Sequence, residues 1–105
     1  MPIKVCTWNI NSVRLREDSV CRVLFEEAPE VLCLQECKSP EDKIPTEKFS
    51  ELGYRYLIAN GQKGYNGVAV LSKLPLREID RKDFANLGHA RHLAVNVDNK
   101  LNIHN

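Results

Sequence analysis

Val31-Leu32-Cys33-Leu34-Gln35-Glu36 is the stretch of this 105-residue sequence on which the fold turns. Four apolar residues in succession leave no wet face, as a strand covered on both sides requires; a half-exposed strand would alternate. Crossovers early in the chain and hairpins late in it make the fold class α/β, a mixed sheet with helices covering one face. Gln35-Glu36 then sets a carboxylate at the C-terminal end of a rigid element.

Upstream of this run, residues 3–10 alternate well enough for a strand and lead into Asn9-Ile10-Asn11-Ser12. Asn11 or Ser12 can cap a helix that reaches about Glu27, with Val13, Val20 and Leu24 on one face, and Pro29 stops it. Downstream, 40–45 is a charged loop, and 46–52 is a short helix with Phe49 and Leu52 inward and Gly53 as its stop. Strands are predicted at 54–59 and 67–72, with an Asn60-Gly61 turn and the loop 62–66 between them. A short strand at 76–79 follows the Leu74-Pro75 turn. Leu93, Val95 and Val97 alternate strictly, and Asp98-Asn99-Lys100 turns the chain into Leu101 and Ile103. No repeat, biased tract or linker divides the sequence, so it reads as one unit.

Composition narrows the class further. With 43% hydrophobic and 28% charged residues the sequence is that of a soluble globular chain, and 15 basic against 14 acidic side chains leave a net charge of +1. A nucleic-acid partner would have to be met by a local basic face. No apolar signal core and no membrane-length run is present, so the expected setting is the cytoplasm of a bacterial-type cell, with no membrane partner. Cys6, Cys21, Cys33 and Cys37 lack paired Cys-x-x-Cys spacing and read as reduced thiols. His89 and His92 fall on a loop and a strand start, which denies them the helical convergence of a metal pair.

The chemistry is concentrated at two strand ends: Trp8-Asn9-Ile10-Asn11-Ser12-Val13-Arg14 and Leu34-Gln35-Glu36-Cys37-Lys38. If the strands are neighbours, amides and a carboxylate converge. Hard divalent cations take oxygen ligands, and Mg²⁺ often uses one or two carboxylates and leaves the remaining positions to phosphate and water. Glu36 suits that role, although a strand-end glutamate is in general an ordinary solvated group, and Asn9 and Asn11 are in general turn or cap residues.

Together with Gly64-Tyr65-Asn66-Gly67-Val68-Ala69-Val70-Leu71-Ser72-Lys73 and Ala90-Arg91-His92-Leu93, these strings resemble the exonuclease III and apurinic/apyrimidinic endonuclease family, in its order and at fitting separations. The resemblance covers essentially the whole chain but less than half of a complete family member. It implies a four-layer α/β sandwich of the deoxyribonuclease I type, of which residues 1–105 are the N-terminal portion of a single domain. It further implies strands chiefly for one sheet, whose apolar inner face, at 31–34 and 68–71, would lie bare without the remainder.

In functional terms the resemblance implies a DNA-repair nuclease. Its reaction would be hydrolysis of phosphodiesters at abasic sites and 3′ ends of duplex DNA with Mg²⁺ or Mn²⁺. Glu36 would be the metal ligand, with Asn11 beside the metal, and Asn9 would orient groups around the attacked phosphate. Arg14, Lys38, Gly64, Tyr65, Asn66 and Arg91 would face the DNA. Complete members also use a tyrosine, an Asp-x-Asn motif and a Ser-Asp-His motif that do not occur here after the Gly64 segment. The remaining part, or a second chain, is therefore expected to complete both fold and site, and the segment alone is expected to be inactive. Two other readings stand beside this one: another phosphodiesterase of the same superfold, and a non-catalytic nucleic-acid-binding fragment.

Overall fold

A computed structural model describes residues 3–61, 66–80 and 93–105. The strand β1 (Val5–Asn9) passes through α1 (Glu17–Glu26) into β2 (Val31–Gln35), and the two strands pair in parallel with Asn9 opposite Gln35. After a short 3₁₀ turn at Glu41–Lys43 and the helix α2 (Thr46–Glu51), β3 (Tyr56–Asn60) and β4 (Val68–Ser72) form an antiparallel pair. β4 inserts beside β2, and the first sheet runs β1-β2-β4-β3. A second sheet, β5-β6-β7, is built from β5 (Leu76–Asp80), β6 (Ala94–Val97) and β7 (Leu101–His104).

The unbroken apolar run of β2 is explained by two different neighbours. Leu32 and Leu34 point to the helices and join Ile10, Val13, Val20, Leu24, Phe49 and Leu71 in one core. Val31 and Cys33 point the other way, into a second core with Val68, Val70, Leu93, Val95 and Val97. β4 divides likewise, Ala69 and Leu71 to the helices, Val68 and Val70 to the second sheet. The chain thus forms three layers: helices, a four-stranded sheet and a three-stranded sheet.

This corrects one expectation. The segment supplies strands to two sheets, and the face at 31–34 and 68–71, expected to lie bare, is buried by the chain's own elements. Strict alternation at Leu93, Val95 and Val97 is what one buried face demands, and β2 and β4 are what it buries against. Apolar exposure lies elsewhere, at Val5 (42%) on the edge strand β1, Leu15 (85%) and Phe25 (77%).

The start of α1 is also corrected. Asn11 and Ser12 do not cap it: both have positive φ, at 50° and 87°, and the helix begins five residues after Ser12, at Glu17. The Ser12 amide donates to the Glu36 carbonyl at 2.9 Å and the Val13 amide to the Cys37 carbonyl at 3.0 Å. Residues 10–13 therefore prolong the β1–β2 ladder, which leaves them no freedom to turn into a helix. At its other end α1 stops where sequence predicts, Ala28 with φ 45° preceding Pro29. The Tyr54 hydroxyl, on a ring only 2% exposed, donates to the Pro29 carbonyl at 2.5 Å and pins this turn to the base of β3.

Candidate active site

Three ladders end at one rim of the first sheet. Past the ends of β1 and β2, the Ile10 amide donates to the Gln35 carbonyl at 2.9 Å, followed by the Ser12 and Val13 bonds already named. On the other side of β2, the Cys37 amide donates to the Gly67 carbonyl at 2.9 Å and the Lys38 amide to the Asn66 carbonyl at 2.8 Å. Glu36 thus has backbone tied to neighbours on both sides, while its side chain lies at the exposed rim.

The backbone at this rim is strained. Asn11, Ser12, Glu36, Lys38 and Asn66 all have positive φ, between 50° and 87°, a region that side-chain-bearing residues rarely adopt. Of the other such residues described, Asp98 and Asn99 make the β6–β7 turn and Ala28 ends α1. Clustering of strained non-glycine residues at one place marks functional sites, because the surrounding hydrogen bonds must hold what local energetics disfavours. Here those bonds are the ladder extensions.

The side chains brought together are an acid, Glu36, two amides, Asn9 and Asn11, and a cation, Lys38. The Glu36 carboxylate and the Asn9 amide are exposed and have no side-chain partner among the described residues. The Lys38 ammonium donates to Asn11 Oδ1, so Asn11 is engaged by a cation, and a direct metal contact from it would require Lys38 to withdraw. Asn66 is nearly buried, at 9% exposure, and reaches the site through its carbonyl bond to Lys38. Arg14 is exposed in the turn between Val13 and α1, not on a helix face. Gly64, Tyr65 and Arg91 lie outside the described residues. Cys37, directly after Glu36, is 1% exposed, and burial pushes its thiol up to about 12, which leaves it protonated and no nucleophile.

The donor set fits a hard cation that brings most of its own shell. No group of three His, Cys, Asp or Glu side chains able to hold a metal occurs among the described residues. A single carboxylate with amide oxygens nearby suits Mg²⁺ or Mn²⁺ completed by phosphate and water, and does not suit a closed zinc or calcium cage.

Sequence reasoning did not single out the floor beneath this rim. Gln35 Nε2 donates to Thr7 Oγ1 at 2.9 Å and to Asn105 Oδ1 at 2.7 Å. Asn105 Nδ2 in turn donates to the carbonyls of Leu34 at 3.1 Å and Ala69 at 3.0 Å. Gln35 could have been noticed from its place beside Glu36; its partner, 70 residues away, could not.

A parallel crossover and two stacked sheets, with helices over the outer face of the first, define an α/β sandwich that carries an acid-and-amide rim. Residues 6–104 match the Endonuclease/Exonuclease/phosphatase family, and the chain belongs to it. It is 36% identical over 74 residues to "Recombination repair protein 1" of Drosophila melanogaster, covering 69% of this chain and 11% of that protein. It is 35% identical over 79 residues to "Exodeoxyribonuclease III" of Haemophilus influenzae, covering 75% and 29%. Among solved structures, a 3′ phosphatase from Neisseria bound to product DNA hairpin superposes with a TM-score of 0.89 at 30% identity, covering 98% of this chain and 40% of that one. An AP endonuclease from Archaeoglobus fulgidus superposes at 0.81 with 31% identity, covering 91% and 37%. The fold is that of exonuclease III and AP endonucleases, and the chain spans less than a third of these two curated relatives and no more than 40% of these two structures. None of the described helices is long and apolar enough to cross a membrane.

Proposed function

We propose that these residues belong to a DNA-repair nuclease that hydrolyses phosphodiesters of duplex DNA, at abasic sites and 3′ ends, with Mg²⁺ or Mn²⁺. The observation that carries the reading is the Glu36 carboxylate at the strained rim, beside the Asn9 amide, both without a side-chain partner among the described residues, and the Lys38 ammonium. Glu36 would hold the cation, which when bound supplies charge neutralisation on the phosphate oxygens and the leaving group. Asn9 can donate an amide hydrogen to a phosphate oxygen and fix its orientation. Lys38 rests on a neutral amide, so its positive charge is not cancelled as it would be by a carboxylate, and it stays available to phosphate. Arg14, exposed in the adjoining turn, adds a second cation for the backbone of the duplex.

The 105-residue segment alone is expected to be inactive, because the Asp-x-Asn and Ser-Asp-His motifs on which the resemblance relies for a general base and a phosphate-contacting histidine do not occur in it after the Gly64 segment. A second reading, removal of a terminal 3′ phosphate, is favoured by the TM-score of 0.89 to a 3′ phosphatase with product DNA. The complete encoded polypeptide should be offered an abasic duplex, a blunt duplex, a 3′-phosphoryl duplex, poly(A) and an inositol phosphate, each with Mg²⁺ and with chelator. Chelator-sensitive cleavage of the first two supports the nuclease, and release of phosphate from the third alone supports the phosphatase. Turnover of poly(A) or inositol phosphate without DNA cleavage overturns both.

A further inference from the structure

We propose that Gln35 and Asn105 are positioning residues that fix the second sheet against the rim carrying Glu36 and Asn9, an inference that rests on the reading of that rim as the active site. Glu36 has no side-chain partner among the described residues to aim it, so its placement is inherited from the backbone of residues 35–36. That backbone sits on a polar floor within an otherwise apolar interface. Val31, Cys33, Val68, Val70, Leu93, Val95 and Val97 hold the two sheets together, but such contacts have no direction and allow small slides. Hydrogen bonds at fixed angles do not allow them.

Asn105 is built to be that fixed point. Its main chain exchanges both bonds with Leu93, at 2.9 and 2.8 Å, as the last rung of the β6–β7 pair. Its side-chain nitrogen donates to Leu34 on β2 and Ala69 on β4, residues directly opposite in the ladder, so one group grips two strands of the first sheet. Its side-chain oxygen accepts from Gln35, which also donates to Thr7 on β1. Gln35 is the register partner of Asn9 and the residue before Glu36, so this floor touches both candidate groups through one link. The arrangement needs an acceptor and two donors on one short side chain, which among the common residues only asparagine supplies. Aspartate is isosteric, but it would set an acceptor against two carbonyl oxygens.

The test uses the complete encoded polypeptide and three variants: Asn105→Asp, Gln35→Glu and, as a control in the same interface, Val95→Ala. Thermal midpoint, amide hydrogen exchange, and kcat and KM on abasic duplex with Mg²⁺ are measured for each. Asn105→Asp is expected to lower kcat by about 10- to 100-fold with KM for the duplex little changed, the signature of displaced rather than missing groups. It should also speed exchange of the Ile10 and Ser12 amides by about tenfold while the amides within α1 keep their protection. Val95→Ala should lower the thermal midpoint and leave kcat and the Ile10 and Ser12 exchange near the parent's. Gln35→Glu should follow Asn105→Asp. Loss of kcat in Asn105→Asp no greater than in Val95→Ala, or unaltered exchange at Ile10 and Ser12, overturns the proposal. Exchange reads the clamp whether or not the duplex is cut, whereas full activity in Glu36→Gln would remove the reading of the rim and leave the exchange result standing.

Discussion

Replacing Glu36 by glutamine keeps its shape and exposed position and removes the charge that a hard cation needs. In the complete polypeptide this change is expected to depress Mg²⁺-dependent cleavage by about 100-fold or more while duplex affinity holds, because Arg14 and Lys38 are untouched. Single-turnover rates and binding isotherms at fixed salt check both halves; parent-like turnover at saturating Mg²⁺ removes Glu36 from the metal. Tyr54 offers a purely structural counterpart. Its removal as Tyr54→Phe leaves the Pro29 carbonyl without its donor and should cost about 1–2 kcal/mol, measured by urea denaturation. Burial, aided by Glu30 and Cys6, pushes the Tyr54 hydroxyl up to about 12, and burial raises the Cys33 and Cys37 thiols to about 11 and about 12. Groups that are harder to deprotonate when folded release their protons more readily when unfolded, so their contribution is complete at neutral pH. It declines once pH passes the unfolded thiol value of about 9 and falls until about 12. Urea midpoints taken from pH 8 to pH 11 should fall, and less steeply in Cys37→Ala. At this scale the place of Glu36 at the end of β2 was legible from the apolar run before it, whereas its proposed role came only from the resemblance carried by the strings around Asn9 and Lys38. The floor beneath was not legible, because a bond between Gln35 and Asn105 leaves no trace in the spacing of either.

Elements were legible where one face or two faces of a run had to be apolar, as at β2, β4 and β6. Their partners were less so, since alternation at Leu93, Val95 and Val97 says that one side is dry without saying against what. The entry to α1 misled for a specific reason: Asn and Ser are good helix caps, and they are also residues that tolerate a polar turn, which β2's prolonged ladder imposes here. The exit from α1 carries its own prediction. Ala28 is exposed, follows the last helical turn and holds φ at 45°, a conformation that glycine adopts without penalty. Ala28→Gly should therefore raise stability by about 1 kcal/mol, visible as a higher thermal midpoint. An unchanged or lower midpoint would mean that unfolded-state freedom outweighs the relief.

For the molecule as a whole, what is uncovered matters more than what is packed. β1 is an edge strand with Val5 at 42% exposure, and Leu15 and Phe25 are bare at 85% and 77%. An unpaired edge beside apolar side chains is a template for strand addition. The 105-residue segment produced alone is expected to self-associate, and Val5→Lys to reduce it; sedimentation at several concentrations decides, and a monomeric parent would refute the expectation. The strained rim has a different bearing, on what directed improvement would do to this protein. At Ser12, Glu36 and Lys38 the backbone occupies a region in which glycine is at ease and a side chain is not. A screen that rewards heat tolerance alone would thus enrich glycine at these positions, including the one that carries the carboxylate. If Glu36 holds the cation as proposed, the hardiest survivors of such a screen would be those that had shed the chemistry, so any programme to toughen this protein must select for turnover and endurance together.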